Sequence, residues 1–326
     1  MTYTNLGRTG LKVSRLALGT MNFGPKTSED ESHAILDRAI ELGINLIDTA
    51  DIYGYRKAQG TGAGWTEEII GRWLAHDSGR RDRIVLATKV FSRMGDGVND
   101  QGLSARHIRR ACEASLRRVQ TDHIDLYQMH HVDRETPWEE IWQAMEQLIR
   151  DGKILYVGSA NSPGWQLATS QQVAAHRHLL GLASEQSVYN LATRAIESEV
   201  IPACRHYGLG LLAWSPLAGG LLAGSADPAD QGRRAAAQVR EQADRWKDQV
   251  ARYETLCADM GEPPATVALA WVLANPVVTA AIIGPRTRSQ LEASLRALDL
   301  RLSEDMLRRL DTIWPGPGEA PEGYAW

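Results

Sequence analysis

The chain is poor in cysteine. Cys112, Cys204 and Cys257 are its three, far apart and without CxxC spacing. That argues against a thiolate zinc site or a disulfide framework and predicts reduced thiols. No run approaches the ~20 apolar residues of a membrane span, and the opening MTYTNLGRTG has no apolar signal core. A cytoplasmic protein with no membrane partner is expected. Long basic runs are absent too, and 36 basic against 40 acidic side chains leave a net charge of −4. Nucleic acid and anionic membranes are therefore poor candidate partners. The histidines lack metal-ligand spacing, so no metal is expected. No GxGxxG follows the first apolar run, where the chain reads LGTMNFG (18–24). That counts against an open dinucleotide-binding sheet.

What is present is regular. Hydrophobic residues make up 43% of the 326 positions and charged residues 23%, enough for a large core under a solvated surface. YTNLGRTGLKVS (3–14) reads as a short hairpin. One pattern then repeats: a short apolar run, a polar residue or glycine, an amphipathic helix. The runs are 15–18, a second ending at Asp48, IVLATK ending at Lys89, IDLYQMH ending at His130, ILYVGS ending at Ser159, LASEQS (182–187), LGLLAW ending at Trp214, and TAAIIG ending at Gly284. Helices are predicted near 28–42, 66–74, 104–119, 137–150, from 163, 197–207 and 289–297. Ser28 with Glu31 suggests a capping box, Thr66 is a candidate cap, and Pro137 suits a first turn. Eight such units predict a parallel sheet closed into a (β/α)8 barrel. The whole chain, 1–326, is read as a single domain. Two segments exceed the pattern: 217–261, with a basic alanine-rich middle, and the end of the chain, with an extra helix over 303–314 and an irregular tail. Both are expected to fold over the barrel mouth.

In such a barrel the strand C-termini share one mouth. Asp48, Lys89 and His130 would meet there, with Tyr53 in the loop after the second strand. Each has a plain structural reading alone: a turn aspartate, a packed tyrosine, a solvated lysine, a buried histidine. Together they suit carbonyl reduction. A carbonyl that accepts hydride becomes an alkoxide and needs a proton. A tyrosine can supply it, although its reference pKa is about 10. A nearby lysine lowers that value, and a carboxylate fixes the lysine. The stretch LIDTADIYG (46–54) then makes sense: Asp48 holds Lys89, Lys89 tunes Tyr53, and His130 orients the carbonyl oxygen.

The contexts LIDTADIYG, LATKV and DHIDLYQMHH resemble the aldo/keto reductases, and the resemblance runs from LGRTGLKVS to AIIGPRTRSQLEASL. It implies a catalytic set of Asp48, Tyr53, Lys89 and His130 and a nicotinamide cofactor, NADPH, with NADH as the weaker donor. The implied contacts are Gly19, Thr20, Met21 and Asp48 at the first strands. Ser159 and Asn161 follow, with Ala160 where the family usually has serine, and then Gln186. Trp214 would stack on the nicotinamide in place of a tyrosine. Ser215, Pro216, Leu217, Gly219 and Leu221 match the pyrophosphate loop, whose peptide N–H groups would meet the anion. Gly284, Arg286, Thr287, Gln290 and Ser294 match the adenosine-phosphate segment, with Arg286 on the 2′-phosphate.

The resemblance implies a reductase of aldehydes or ketones. Similarity to bacterial deoxysugar enzymes suggests a narrower alternative, a nucleotide-linked keto-deoxysugar reductase of the 2,3-enone type. Similarity to potassium-channel β subunits suggests a second, a cofactor-reading regulatory subunit with slow turnover. Phe23 and Met94 are pocket candidates by loop position; Trp314, Tyr324 and Trp326 would form a lid or, equally, a tail packed on the barrel exterior; Arg56 and Lys57 read first as a solvated surface loop and otherwise as contacts for an anionic substrate. Oligomeric state is left open.

Overall fold

The computed structural model describes residues 1–55, 62–224, 241 and 244–325. Strands β1 (Tyr3–Asn5) and β2 (Lys12–Ser14) pair antiparallel. Eight more run parallel: β3 (Leu16–Gly19), β4 (Leu46–Asp48), β5 (Val85–Val90), β6 (Ile124–Met129), β7 (Ile154–Ala160), β8 (Leu182–Val188), β9 (Gly210–Trp214) and β10 (Val278–Ile283). They follow chain order around a closed barrel, and β10 bonds to both β9 and β3. This is the (β/α)8 barrel expected from the repeating pattern. Every residue of β5, β6 and β10 is buried, as strands covered on both faces require.

Helices α1 (Glu29–Glu41), α2 (Trp65–Ala75), α3 (Ala105–Val119), α4 (Trp138–Arg150), α5 (Gly164–His176) and α6 (Val200–Tyr207) follow their strands in the outer ring. After β9 come α7 (Lys247–Met260) and α8 (Pro264–Ala274), and after β10 α9 (Arg288–Ser294), α10 (Glu304–Ile313) and α11 (Glu322–Ala325). Caps set several starts. The hydroxyls of Ser28, Ser104 and Ser303 each accept from the third residue on, satisfying a backbone donor that has no partner within the helix. Pro137 and Pro163 stand just before α4 and α5. Thr66 does not cap α2. That helix starts from Gly64 with no side-chain cap, and the Thr66 hydroxyl instead donates to the Phe23 carbonyl at 3.0 Å. Phe23 is itself fully buried in the outer core.

Two apolar layers result. The larger lies between strands and helices. The smaller fills the barrel with Leu46, Val85, Ala87, Leu126, Leu212 and Ala280, and it is completed by Leu6 and Val13 of the hairpin. The hairpin is therefore a plug in the bottom of the barrel. Gly7 makes this possible. With φ at +54°, it brings the Arg8 N–H to Gly208 O at 2.8 Å, where an added Cβ would fall 2.5 Å from Gly208 O.

The excess segments do not cover the mouth within the described residues. Helix α7 packs on α8 and α10. Trp314 is buried against Tyr253, ring centroids 5.3 Å apart. Beyond it the chain follows α6: Ala320 N–H donates to Ser198 O at 3.0 Å, and Arg205 pairs with Glu319 at 2.9 Å. Tyr324 is 75% exposed. Of the two expected places for the tail, its described residues take the barrel exterior. Arg56, Lys57, Trp326 and most of the basic stretch after β9 lie outside the described residues.

Candidate active site

Strand periodicity places the first polar layer above the apolar filling. Asp48, Lys89 and Gln128 each stand two residues beyond an inward apolar residue, namely Leu46, Ala87 and Leu126. Lys89 is directly paired with Gln128 in the β5–β6 register. The Lys89 ammonium, fully buried, donates to Asp48 Oδ2 at 2.6 Å, to Thr49 O at 2.8 Å and to Tyr53 Oη at 3.2 Å. Its three protons thus have three partners. The other Asp48 oxygen accepts from Gln128 at 3.1 Å and from Gln186 at 2.8 Å. The Gln186 amide nitrogen also reaches Gln128 Oε1 at 3.1 Å, so its N–H groups are used within the protein. Gln128 was not among the expected site residues. Its signal was the alternation in IDLYQM, which puts it on the face of Leu126.

Burial lowers the affinity of Lys89 for its proton, but Asp48 and Tyr53 more than restore it, leaving its pKa above the ordinary lysine value. For Tyr53 the balance differs from the expectation. Burial raises its pKa first; Lys89 pulls it down, Asp48 raises it, and the net shift is upward. The hydroxyl therefore keeps its proton at neutral pH. The Lys89 nitrogen also lies 4.9 Å from the centre of the Tyr53 ring.

His130 follows β6, and its ring meets Tyr53 edge-on at 6.0 Å. Burial, helped by the Lys89 charge, pushes its pKa down to about 3. The ring is neutral. Nδ1 is buried with no hydrogen-bond partner; a proton there would be an unsatisfied donor, which favours the tautomer protonated at Nε2. His131, next along the chain, is exposed; its ring stacks on that of His130, centroids 5.1 Å apart, and Phe91 packs on it at 5.4 Å.

Behind the wall lies a second polar group that the sequence did not announce. Glu67 is fully buried and accepts from Thr88 Oγ1 at 2.6 Å, Arg118 Nε at 2.7 Å and Ser115 Oγ at 3.2 Å. Asp51, two residues before Tyr53, is equally buried. Burial and then the Glu67 charge push its carboxyl well above the ordinary range.

Around the mouth, Gly19 ends β3 and Gly284 follows β10, with its carbonyl accepting from Asn22 at 2.8 Å. Thr20 is buried and donates to Asp48 O at 3.0 Å, whereas Met21 is 51% exposed. Asn161 sits in left-handed backbone, φ +57°, just beyond β7. Its amide donates to His130 O at 3.2 Å and accepts from Trp214 Nε1 at 3.1 Å. Trp214 is 36% exposed at the end of β9. The Ser159 hydroxyl is directed away from the mouth, to Glu185 at 2.5 Å.

The two segments expected to meet the cofactor's phosphates carry many internal hydrogen bonds. In the turn after β9, Ala218 N–H donates to Ser215 O and Gly219 N–H to Ser215 Oγ, while Gly220 and Leu222 N–H both donate to Leu217 O. Those four N–H groups close the turn. Pro216 and Leu221 lie in the same turn, with Leu221 buried. At the last strand, Thr287 caps α9, Gln290 Oε1 accepts from the Arg286 N–H at 2.9 Å, and Ser294 donates back to Gln290 O. A groove beside this segment is lined by Arg38, Arg288, Glu31, Glu41 and Glu292.

A family model described as aldo/keto reductase matches residues 15–315. The uncharacterized oxidoreductase YrpG of Bacillus subtilis (strain 168) is 53% identical over 100% of both chains. A probable voltage-gated potassium channel subunit beta of Oryza sativa subsp. japonica is 34% identical over 99% of this chain and 100% of its own. The versiconal hemiacetal acetate reductase of Aspergillus parasiticus is 32% identical over 95% of this chain and 96% of its own.

Proposed function

The chain belongs to the aldo/keto reductase family of oxidoreductases, and on that premise we propose that it is an NADPH-dependent reductase of an aldehyde or ketone, with Tyr53 as the proton donor. One observation carries the reading: a buried ammonium bonded at once to Asp48 and to the Tyr53 hydroxyl, 2.6 and 3.2 Å away, beside a neutral His130.

The residues at the mouth fit a nicotinamide. Trp214 offers an open aromatic face. Asn161, joined to it through the indole N–H, keeps one amide hydrogen and one carbonyl lone pair beyond its two protein bonds. Asn161, Trp214 and Gln186 would hold the ring and its carboxamide, and Ser159 would act through its backbone. Arg286, Thr287 and Gln290 would meet the adenosine phosphate. The bound cofactor supplies the hydride.

The protein's share is charge and protons. As the substrate oxygen gains negative charge, Tyr53 passes its proton to that oxygen. The phenolate so formed lies 3.2 Å from the Lys89 ammonium, which offsets the burial that otherwise holds the proton on Tyr53. His130, neutral and protonated at Nε2, donates a hydrogen bond to the same oxygen without competing for its proton. Asp48 and the two glutamines keep Lys89 in place. The localisation we propose is cytoplasmic; among the described residues no helix is long and apolar enough to cross a membrane.

Tyr53→Phe tests the donor. Turnover should fall by roughly 10²-fold or more, with NADPH affinity within about twofold because the hydroxyl does not bind cofactor. Survival of turnover would remove Tyr53 from the role. The relatives named as channel subunits favour a second reading, a regulatory module that binds NADPH and turns over slowly. A panel of aldehydes, dicarbonyls, simple sugars and one nucleotide-linked keto-sugar, run with NADPH and NADH, separates the readings. Consumption confined to the keto-sugar would select the deoxysugar substrate. Tight binding with no consumption would select the module.

A further inference from the structure

Strand β8 turns Gln186 into the barrel and Glu185, its neighbour, to the outer side, near Cys204 of α6. Glu185 is fully buried there, and the groups that hydrogen-bond to it are neutral donors. One oxygen accepts from Ser159 Oγ at 2.5 Å; the other accepts from Ser162 N–H at 3.0 Å and Ser187 Oγ at 2.8 Å. Ser159 and Ser162 bracket Asn161. The turn is pinned again where Asn161 N–H donates to Gln186 O at 2.9 Å. Asn161 is thereby held in left-handed backbone, φ +57°, a conformation that asparagine adopts more readily than other residues with a Cβ. From that position its amide spans His130 O and the Trp214 indole.

We propose that Glu185 is a positioning residue for the cofactor: its carboxyl clamps the 159–162 turn and so aims Asn161 at the nicotinamide carboxamide. This rests on the reductase reading above. Glu185 touches neither cofactor nor substrate. It acts through the turn, which explains why the hydroxyl of Ser159 points away from the mouth and why Ala160, lacking a hydroxyl, is tolerated beside it. A carboxyl can accept all three bonds at once. A glutamine can keep them if the Ser159 hydroxyl rotates to accept, whereas a leucine leaves three donors without a partner.

The test is NADPH affinity, read by quenching of tryptophan fluorescence in the full chain, with kcat at saturating NADPH and a thermal melt in parallel. Glu185→Gln should bind within about threefold of the parent. Glu185→Leu should bind about tenfold more weakly or worse, with kcat at saturation falling less than affinity. Combined with Asn161→Ala, the Glu185→Leu loss should largely vanish, since both act through one amide. If the leucine variant does not fold, the paired Ser159→Ala and Ser187→Ala variant serves instead, with a several-fold loss expected by the same logic. Parent-like affinity in the weakened variants, or losses that simply add to Asn161→Ala, would overturn the clamp and leave the reductase reading standing. No binding of NADPH or NADH by the parent chain would overturn that reading and the clamp with it.

Discussion

At Lys89 two opposed effects act on one ammonium: burial favours the neutral amine, and Asp48 favours the cation. The carboxylate prevails because it is 2.6 Å away and its second oxygen is held by two glutamine amides. Glu185 shows the opposite outcome. Burial outweighs its neutral donors and lifts its pKa from 4.5 to about 7. The sign of the linkage follows. Below about 4.5 the carboxyl is protonated in both folded and unfolded chains. As pH rises from there through about 7, the unfolded chain ionises first, and stability is lost. Glu185→Gln should remove that loss, gaining up to about 3 kcal/mol over the parent between pH 5 and pH 8. Chemical denaturation at the two pH values checks it, and equal slopes for both proteins would refute the assignment. His130, at about 3, stays neutral from pH 5 to 9. Arg286 belongs to this scale as well. If it meets the 2′-phosphate, Arg286→Ala should weaken NADPH by roughly tenfold more than NADH, measured as two KM values.

At the scale of elements, helix pairs are set by how closely backbones approach. Gly71 of α2 lies where an added Cβ would stand 2.0 Å from the Arg118 carbonyl in α3. That contact brings Arg118 to Glu67 and seats the polar group behind Lys89. Gly71→Ala should therefore cost about 1–3 kcal/mol and lower turnover, because the 49–55 turn rests on the same helix. A melt unchanged from the parent would show that α2 can shift freely. Strand and helix positions were legible from apolar runs, serine caps and prolines. The second helix was misjudged at its cap, since Gly64 starts it while Thr66 serves the neighbouring Phe23 loop. No local pattern encodes which of two nearby groups a threonine will choose.

For the whole molecule, the closed barrel explains why residues 41 positions apart in the chain, Asp48 and Lys89, come to bond. The same closure leaves the mouth open to loops, and the described tail does not use it. Truncation after Trp314 should leave turnover of small aldehydes within about twofold, as loss of a surface ion pair and an exposed tyrosine predicts little change. A tenfold rise in KM would return the tail to the mouth.

The sequence by itself determined the barrel, the family and the types of residue at its mouth. Strand alternation and eightfold repetition are local and periodic, and Asp48, Tyr53, Lys89 and His130 stand in distinctive contexts. Tertiary structure decided the balances. Tyr53 lies above its ordinary pKa because burial outweighs Lys89. The N–H groups of Ala218, Gly219, Gly220 and Leu222 close the turn after β9, and the tail packs on α6. Gln128, Glu185, Asp51 and Glu67 owe their importance to neighbours from distant strands and helices. Solvation and partnership are properties of the closed fold, and no single stretch of sequence carries them.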